Sequence, residues 1–289
     1  MKGLFIGVTT LDLLYPIAQY PEEDSKTNVD GVHLFLGGPA TNAAITFASL
    51  GGTPTLISAV GENVWSPLIK ERLHAYGVHH IDLMQRKEHE MSCSSILVNT
   101  SSGLRTVVTS RPASVEPNWQ KHSIDIGEYA VCTLDGFYPQ VSLNLLKDGF
   151  DGPVVFDGGS YKPETDKLLF RVTHPIFSER FAFPNDGVMA KEMEGASIRE
   201  YAITCGERPI QFISNGVTEL IEVPAVTAID TLAAGDIFHG AFAWYILVYK
   251  GDFRAALRSS VEVAQQSIRF LGSRAWMDHD HLTQVSNNK

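Results

Sequence analysis

Short apolar runs that end in polar residues alternate with helical stretches along this chain, and no other feature constrains its fold as strongly. The clearest runs lie at residues 4–8, 55–60, 131–134 and 154–156. Apolar runs of about four to eight residues are typical of strands buried on both faces of a parallel sheet. Strands that alternate with helices predict βαβ units. We therefore predict one α/β domain over residues 1–289, with a doubly wound, mostly parallel sheet flanked by helices.

The composition argues against several classes of function. The chain carries a net charge of -10 at pH 7, whereas proteins that bind nucleic acids or anionic membranes carry basic patches. Its cysteines, Cys93, Cys132 and Cys205, are widely spaced, which predicts neither disulfides nor a zinc site and suits the cytoplasm. No apolar run reaches the roughly 18 residues that a membrane span needs. We expect a cytoplasmic protein without nucleic-acid or membrane partners.

A loop of small residues leads directly into the most apolar helical stretch, residues 241–249. Ala233, Ala234 and Gly235 leave their backbone N–H groups accessible, and the first turn of a helix has unpaired N–H groups and a positive dipole end. Phosphate binds well at such a position. Asp236 places a carboxylate beside this anion site, where it could take a proton from an attacking hydroxyl. The alternative is that Asp236 only caps the helix.

A second group of polar residues lies near the N-terminus. Asp12 follows the first predicted strand, where open α/β sheets bind ligands, although it could also be a solvated loop residue. Gly38 belongs to a stiff turn that enters the next helix, with Asn42 in the first turn. The Asn42 amide offers a donor and an acceptor, which suits a sugar diol; the alternative is a helix cap.

Two motifs in these regions resemble the signatures of the ribokinase-like (PfkB) carbohydrate kinases. Residues 230–236 read DTLAAGD, which resembles the family's C-terminal Asp-Thr-x-Gly-Ala-Gly-Asp, and residues 36–44 read LGGPATNAA, which resembles its N-terminal signature. The motifs occur in the family's order and far apart in the chain. Residues 20–25 and 92–95 look like those of ketohexokinases and fructokinases. The resemblance implies a ribokinase-like fold and a sugar kinase.

The resemblance also implies roles for individual residues. ATP would donate its γ-phosphoryl group with Mg²⁺ bridging the phosphates, and a monovalent cation such as K⁺ is a further candidate. Asp236 would be the general base, and the amides of residues 233–235 would form the anion hole. The sugar would contact Asp12, Gly38, Asn42 and Arg105. The nucleotide side would include Thr204, Gly206, Asp230, Thr231 and Lys162, with Glu179 as a metal ligand.

Two further segments are predicted to form a small β-lid over the sugar. They span about 13–36 and 92–110, and the second contains two alternating runs around a turn at 100–104, which indicates a hairpin. In the resembling family such a lid often pairs between subunits, so a homodimer through the lid is possible. The alternative is that these strands are edge strands of the main sheet.

The chain departs from the family pattern on the nucleotide side. Ala233 replaces a glycine, Pro209 replaces another, and the Asn-x-x-Glu motif is absent, with Glu179 standing near its position. If residue 233 needs a positive φ, its Cβ costs on the order of 1 kcal/mol and could misdirect the amide. If φ is negative, alanine is harmless.

Two other functions remain open. The first is a nucleoside kinase of the same fold, which predicts an aromatic pocket to which Phe35 or Tyr138 could contribute. The second is a kinase-like protein that binds a ligand without turnover. Asp236 argues against the second, because a binding protein has no use for a buried base beside an anion site.

Overall fold

The computed structural model describes residues 1–85, 87–110, 124–184 and 187–278. The helices are α1 Pro39–Ser49, α2 Ser66–Ala75, α3 Pro139–Leu145, α4 Thr165–Leu169, α5 Met189–Gly195, α6 Ala234–Val248 and α7 Phe253–Ser267. The strands are β1 Lys2–Ile6, β2 Thr10–Ile17, β3 His33–Gly37, β4 Thr53–Ser58, β5 His79–Asp82, β6 Ser92–Asn99, β7 Arg105–Thr109, β8 Val131–Leu134, β9 Val154–Gly158, β10 His174–Ser178, β11 Glu200–Cys205, β12 Arg208–Ser214 and β13 Val217–Ile221.

The larger sheet has nine strands in the order β13-β12-β11-β10-β9-β8-β1-β4-β5. Its pairs are parallel from β11 to β5, and only β12 and β13 join in antiparallel pairs at one edge. That edge hairpin turns at Asn215 and Gly216, which both have positive φ, as a tight hairpin turn requires. The prediction of a doubly wound, mostly parallel sheet is confirmed.

Helices cover both faces of this sheet and divide the core into two layers. Phe5 packs in the layer that contains side chains of α1, α2, α6 and α7, whereas Leu4 and Ile6 pack in the layer under α3, α4 and α5. Successive strand residues point to opposite faces, so an uninterrupted apolar run fills both layers. None of the helices in the described ranges is long and apolar enough to cross a membrane.

The smaller sheet is separate and has the order β3-β2-β6-β7. The interpretation of its segments as edge strands of the main sheet is therefore wrong. Its first strand begins at Thr10, earlier than the predicted boundary at about residue 13. Asp12 consequently lies within β2 of the smaller sheet, and not in a loop beyond β1. Closure of this sheet over a substrate stays a prediction.

Helices α1 and α6 pack backbone to backbone at Gly240. A Cβ at Gly240 would lie 2.4 Å from the carbonyl oxygen of Ala43 and 2.8 Å from the Cβ of Thr46. Only glycine permits this separation between the two helices. The approach brings the first turn of α1 beside the first turn of α6, so that Asn42 contacts Asp236.

We predict that Gly240→Ala lowers the free energy of unfolding by about 1–3 kcal/mol, because the new methyl group meets backbone atoms that cannot move aside. Gly235→Ala is the matched control in the same helix, since a Cβ there has no neighbour within 4 Å. The control should leave stability unchanged or raise it by at most about 1 kcal/mol. Urea denaturation measures both, and a Gly240→Ala variant as stable as the control would contradict the close approach.

Candidate active site

The site is centred on the carboxylate of Asp236 in the first turn of α6. Asp236 Oδ2 accepts a hydrogen bond from Asn42 Nδ2 at 2.6 Å. The N-cap residue of α6 is Ala233, and it makes no side-chain capping bond, so the interpretation of Asp236 as a cap is wrong. Burial raises the pKa of Asp236 to about 7, and the neighbouring carboxylates of Asp157 and Asp12 act in the same direction. The structure thus holds a half-buried carboxylate whose pKa lies near neutral pH.

Ala233 has a left-handed backbone, with φ 59° and ψ 13°. The loop therefore adopts the conformation that a glycine would provide, and its amides keep the corresponding direction. The methyl group costs about 1–2 kcal/mol of local strain without redirecting the loop.

The helix N-terminus beyond Ala233 forms an open cradle. The first bond of the helical pattern runs from Ile237 N–H to Ala233 O at 2.8 Å, and Ala234 N–H faces Thr231 O at 3.4 Å. The N–H groups of Gly235 and Asp236 precede the first internal acceptor of the helix. A Cβ at Gly235 would have no neighbour within 4 Å, so an anion could approach the backbone there.

Asp12 faces the same site from β2. Its side chain is buried, and Oδ1 accepts a hydrogen bond from Thr10 Oγ1 at 2.8 Å. Burial raises its pKa. Phe35 and Ser94 are its direct cross-strand partners, so these side chains share the face of the smaller sheet that carries Asp12. A Cβ at Gly37 would lie 2.0 Å from the Asp12 carboxylate, which explains the glycine before Gly38.

Gly38 begins α1 with a φ of 96°. A Cβ there would lie 2.2 Å from Val8 O, so no other residue fits.

Asp135, at the end of β8, accepts hydrogen bonds from Val8 N at 2.8 Å and Ala40 N at 3.3 Å. Burial raises its pKa to about 6. Asp135 therefore joins the β1 loop to the start of α1, a role that the sequence analysis did not assign.

Arg105 connects the smaller sheet to the loop before α6. Its Nη1 donates to Thr231 Oγ1 at 2.5 Å, so the structure brings together two predicted site residues that are 126 positions apart in the chain. Asp230 holds the loop before α6 in place. It is buried, and its carboxylate accepts from Leu232 N at 2.8 Å and Gly272 N at 2.9 Å. Asp230 thus fixes the loop, and a role on the nucleotide side stays a prediction.

The predicted nucleotide residues Thr204 and Gly206 lie together at the turn between β11 and β12. Thr204 Oγ1 donates to Phe177 O at 3.2 Å, and Gly206 has a φ of 67°. Glu179 lies beside them, where its carboxylate pairs with Arg208. In the described part of the chain, no three His, Cys, Asp or Glu side chains converge as a metal site. Glu179 is therefore part of an ion pair, and a role as a metal ligand stays a prediction.

Lys162 lies near the carboxyl ends of β8 and β9. Its Nζ donates to Ser160 O at 3.3 Å and lies 4.7 Å from the centre of the Phe137 ring. Its charge also favours the ionised form of Asp135. The side chain is thus held at this edge of the sheet, and a contact with phosphate stays a prediction.

Three residues of the site were missed by the sequence analysis. Asp157 is the penultimate residue of β9, and its Oδ2 lies 3.4 Å from His239 Nδ1. His239 Nδ1 also lies 2.7 Å from Gly235 O. Arg274 donates to Asn42 Oδ1 at 2.6 Å. Two signals in the sequence could have indicated these residues. His239 lies one turn after Asp236 in an otherwise apolar helix, and Arg274 stands among apolar residues.

We predict that Ala233→Val lowers the free energy of unfolding by about 1–3 kcal/mol, because a β-branched side chain is strained at positive φ. Ala234→Val is the matched control in right-handed helical backbone and should cost at most about 0.7 kcal/mol. Ala233→Gly should stay within about 1 kcal/mol of the wild type. Equal losses for both valine variants in urea denaturation would show that residue 233 is not left-handed.

Comparison with known proteins gives matches over most of the chain. The family model described as "pfkB family carbohydrate kinase" matches residues 5–149 and 184–279. Ribokinase of Bacillus subtilis is 23% identical over 281 residues, covering 94% of this chain and 94% of that protein. Ketohexokinase of Mus musculus is 24% identical over 147 residues, covering 50% of this chain and 49% of that protein. Both proteins are thus relatives of this chain, and ribokinase matches over nearly all of it whereas ketohexokinase matches over half.

A solved structure agrees in fold. Ribokinase from Giardia lamblia superimposes with a TM-score of 0.80 at 17% identity, covering 99% of this chain and 98% of that one. The family match includes both signature motifs and extends over more than half of the chain. The chain therefore belongs to the pfkB family of carbohydrate kinases, and it is a phosphotransferase.

Proposed function

We propose that the chain transfers the γ-phosphoryl group of ATP to a hydroxyl group of a sugar, with Asp236 as the general base. One observation carries this proposal: a half-buried carboxylate with a raised pKa lies in the first turn of α6, beside backbone amides that are open to an anion. A carboxylate next to an anion site is unfavourable unless it takes part in the reaction. Proton abstraction from the acceptor hydroxyl is the step that needs a base at this place.

The acceptor would be held between the smaller sheet and α1. Asp12 would accept hydrogen bonds from substrate hydroxyls through its carboxylate, and Gly38 would let the sugar approach the backbone. Asn42 directs Nδ2 at Asp236 and Oδ1 at Arg274, so it orients the base more than it reads a diol. A hydroxyl beside Asp236 would lose its proton to Oδ1 or Oδ2 as the phosphoryl group arrives. The pKa of about 7 favours such a transfer near neutral pH.

The phosphate side would be the N-terminus of α6. Amides of residues 233–236 and the helix dipole would stabilise the charge that develops on the γ-phosphate. In comparable anion holes each donor contributes about 2.7–4 kcal/mol. Arg105, already bonded to Thr231, stands at the entrance from the smaller sheet. Lys162 would contribute a further positive charge.

Mg²⁺ would be held mainly by the nucleotide and by water. Hard cations prefer oxygen ligands, and the carboxylates of Asp135 and Asp157 lie at the carboxyl ends of β8 and β9. All three candidate carboxylates have partners in the protein: backbone amides for Asp135, His239 for Asp157 and Arg208 for Glu179. Water bound to the ion could therefore join it to these groups. When bound, Mg²⁺ neutralises charge on the transferred phosphoryl group.

A nucleoside acceptor remains the second candidate. Tyr138 is the N-cap residue of α3 and packs against the core layer under α3, α4 and α5, so a stacking role for its ring has no support from the fold. Phe35 is half-buried, shares a face with Asp12 and lies over Gly272. Its ring could bound either a sugar or a base. A protein that binds without turnover is less well supported, because the Asp236 geometry is that of a base.

We also propose that the smaller sheet serves as a lid and as the contact between two copies of the chain in the cytoplasm. The face opposite Asp12 presents Leu13, which is half-buried, and Val108, which is 69% exposed. Apolar side chains on an exposed sheet face favour burial against a partner. The three cysteines are free, which suits a reducing compartment.

We predict that the purified protein releases ADP from Mg-ATP in the presence of one member of a panel of pentoses, hexoses and nucleosides. A pentose or hexose is expected to give the highest kcat/KM. A nucleoside as the best acceptor would favour the second candidate. ADP release with none of them, together with calorimetric binding of a sugar, would contradict the proposed function.

Asp236→Asn is the control for the role of the base. It should lower kcat by about 10²–10⁴-fold, because the amide cannot accept the proton, while the affinity for ATP stays near that of the wild type. Unchanged turnover would exclude Asp236 as the base.

A further inference from the structure

A buried arginine from the segment after α7 reaches the site and has no assigned role. Arg274 is 7% exposed, and its Nη2 donates to Asn42 Oδ1 at 2.6 Å and to Leu36 O at 2.8 Å. Its Nη1 donates to Ser273 O at 2.9 Å, and the guanidinium lies 5.5 Å from the centre of the Tyr76 ring. Arg274 thus contacts both the signature at residues 36–44 and Tyr76, the residue that follows α2.

Simple anchoring of the C-terminal segment does not account for this burial. A buried guanidinium is unfavourable unless charged partners and hydrogen bonds compensate for its lost hydration. Nε of Arg274 is buried and has no partner among the described residues. The charges that Arg274 faces are the carboxylates of Asp12 and Asp236. These two acids compensate for part of the lost hydration, which points to a function of Arg274 beside them.

The amide of Asn42 shows what that function is. An asparagine amide can present either Nδ2 or Oδ1 to a given neighbour, and only Nδ2 can donate to a carboxylate. A guanidinium has donors alone, so it accepts only Oδ1 as its partner. With Arg274 on one side, Asn42 must turn Nδ2 towards Asp236.

We propose that Arg274 is a positioning residue for phosphoryl transfer, which fixes the Asn42 amide so that it donates to Asp236. The inference rests on the proposed function, since it assigns the arginine to the base of that reaction. Asn42 is the relay, because it contacts both groups at 2.6 Å.

The loss of Arg274 should affect the base in two ways. The amide becomes free to turn, so the orientation of Asp236 is lost, and misplacement of this kind can cost about 10²-fold in rate. The positive charge near Asp236 also disappears. The other groups that face Asp236 are Asp157 on β9, His239 on α6 and Asp12 on β2. Without the guanidinium, two carboxylates and one imidazole remain around Asp236, so the pKa of Asp236 should rise. The acid limb of the pH profile, which is the fall in rate as the base becomes protonated, should therefore move to higher pH.

The experiment compares Arg274→Met, Arg274→Lys, Asn42→Ala and the double variant Asn42→Ala/Arg274→Met by steady-state kinetics across pH. Arg269→Met is the matched control, because Arg269 is an exposed arginine of the same segment. Arg274→Met is expected to lower kcat by about tenfold to a hundredfold, to raise the pH of the acid limb, and to leave the KM for ATP near the wild-type value. Arg274→Lys should keep the acid limb at its wild-type pH, because the positive charge remains. Its kcat should lie between those of Arg274→Met and the wild type, because lysine lacks the planar fork of donors.

The double variant tests the relay. If Arg274 acts through Asn42, the loss in kcat should be no larger than that of the more damaging single variant. Losses that multiply would overturn the proposal, as would a folded Arg274→Met with wild-type kcat and acid limb. If Arg274→Met does not fold, an Arg274→Lys variant with wild-type kcat would overturn it. An active Asp236→Asn variant would instead remove the proposed base, so the two failures are distinguishable.

Discussion

Helices α1 and α6 approach each other at Gly240 more closely than any side chain would allow, and the geometry of the site depends on this packing. Through it, the first turn of α1 supplies Asn42 and the first turn of α6 supplies Asp236, although the two residues are 194 positions apart in sequence. The same approach places the open end of α6 beside the turn that starts α1. Two motifs that are distant in the chain thereby become one site at the carboxyl ends of the strands, which is where open α/β sheets bind their ligands.

The site contains several acidic side chains that have lost much of their contact with water. Burial raises the pKa of Asp236, Asp12 and Asp135, so each of these groups gives up favourable hydration in its charged form. The structure compensates locally: backbone amides bind Asp135, His239 faces Asp157, and Arg274 faces Asp12 and Asp236. An acid that is costly to ionise is a stronger base once ionised, which is the property that proton abstraction from a hydroxyl needs.

The sequence was sufficient for the architecture because strand periodicity and the two signature motifs are local signals. It could not decide the backbone conformation at Ala233, since alanine is compatible with either sign of φ until the loop around it is known. It placed Asp12 beyond a strand because the start of the smaller sheet at Thr10 carries no turn signal. Arg274 was missed for a different reason. Its contact with Asn42 spans 232 positions, and no local pattern reports a pairing over that distance.

The central claim is that Asp236 is a base whose pKa is raised by its surroundings, and the pH dependence of kcat/KM for the acceptor tests it most directly. A general base acts only when it is ionised, so kcat/KM should fall as the pH decreases through the Asp236 pKa of about 7. The account predicts an acid limb with its midpoint near pH 7. A profile that stays flat down to about pH 5, near the value of an unperturbed carboxyl, would contradict it.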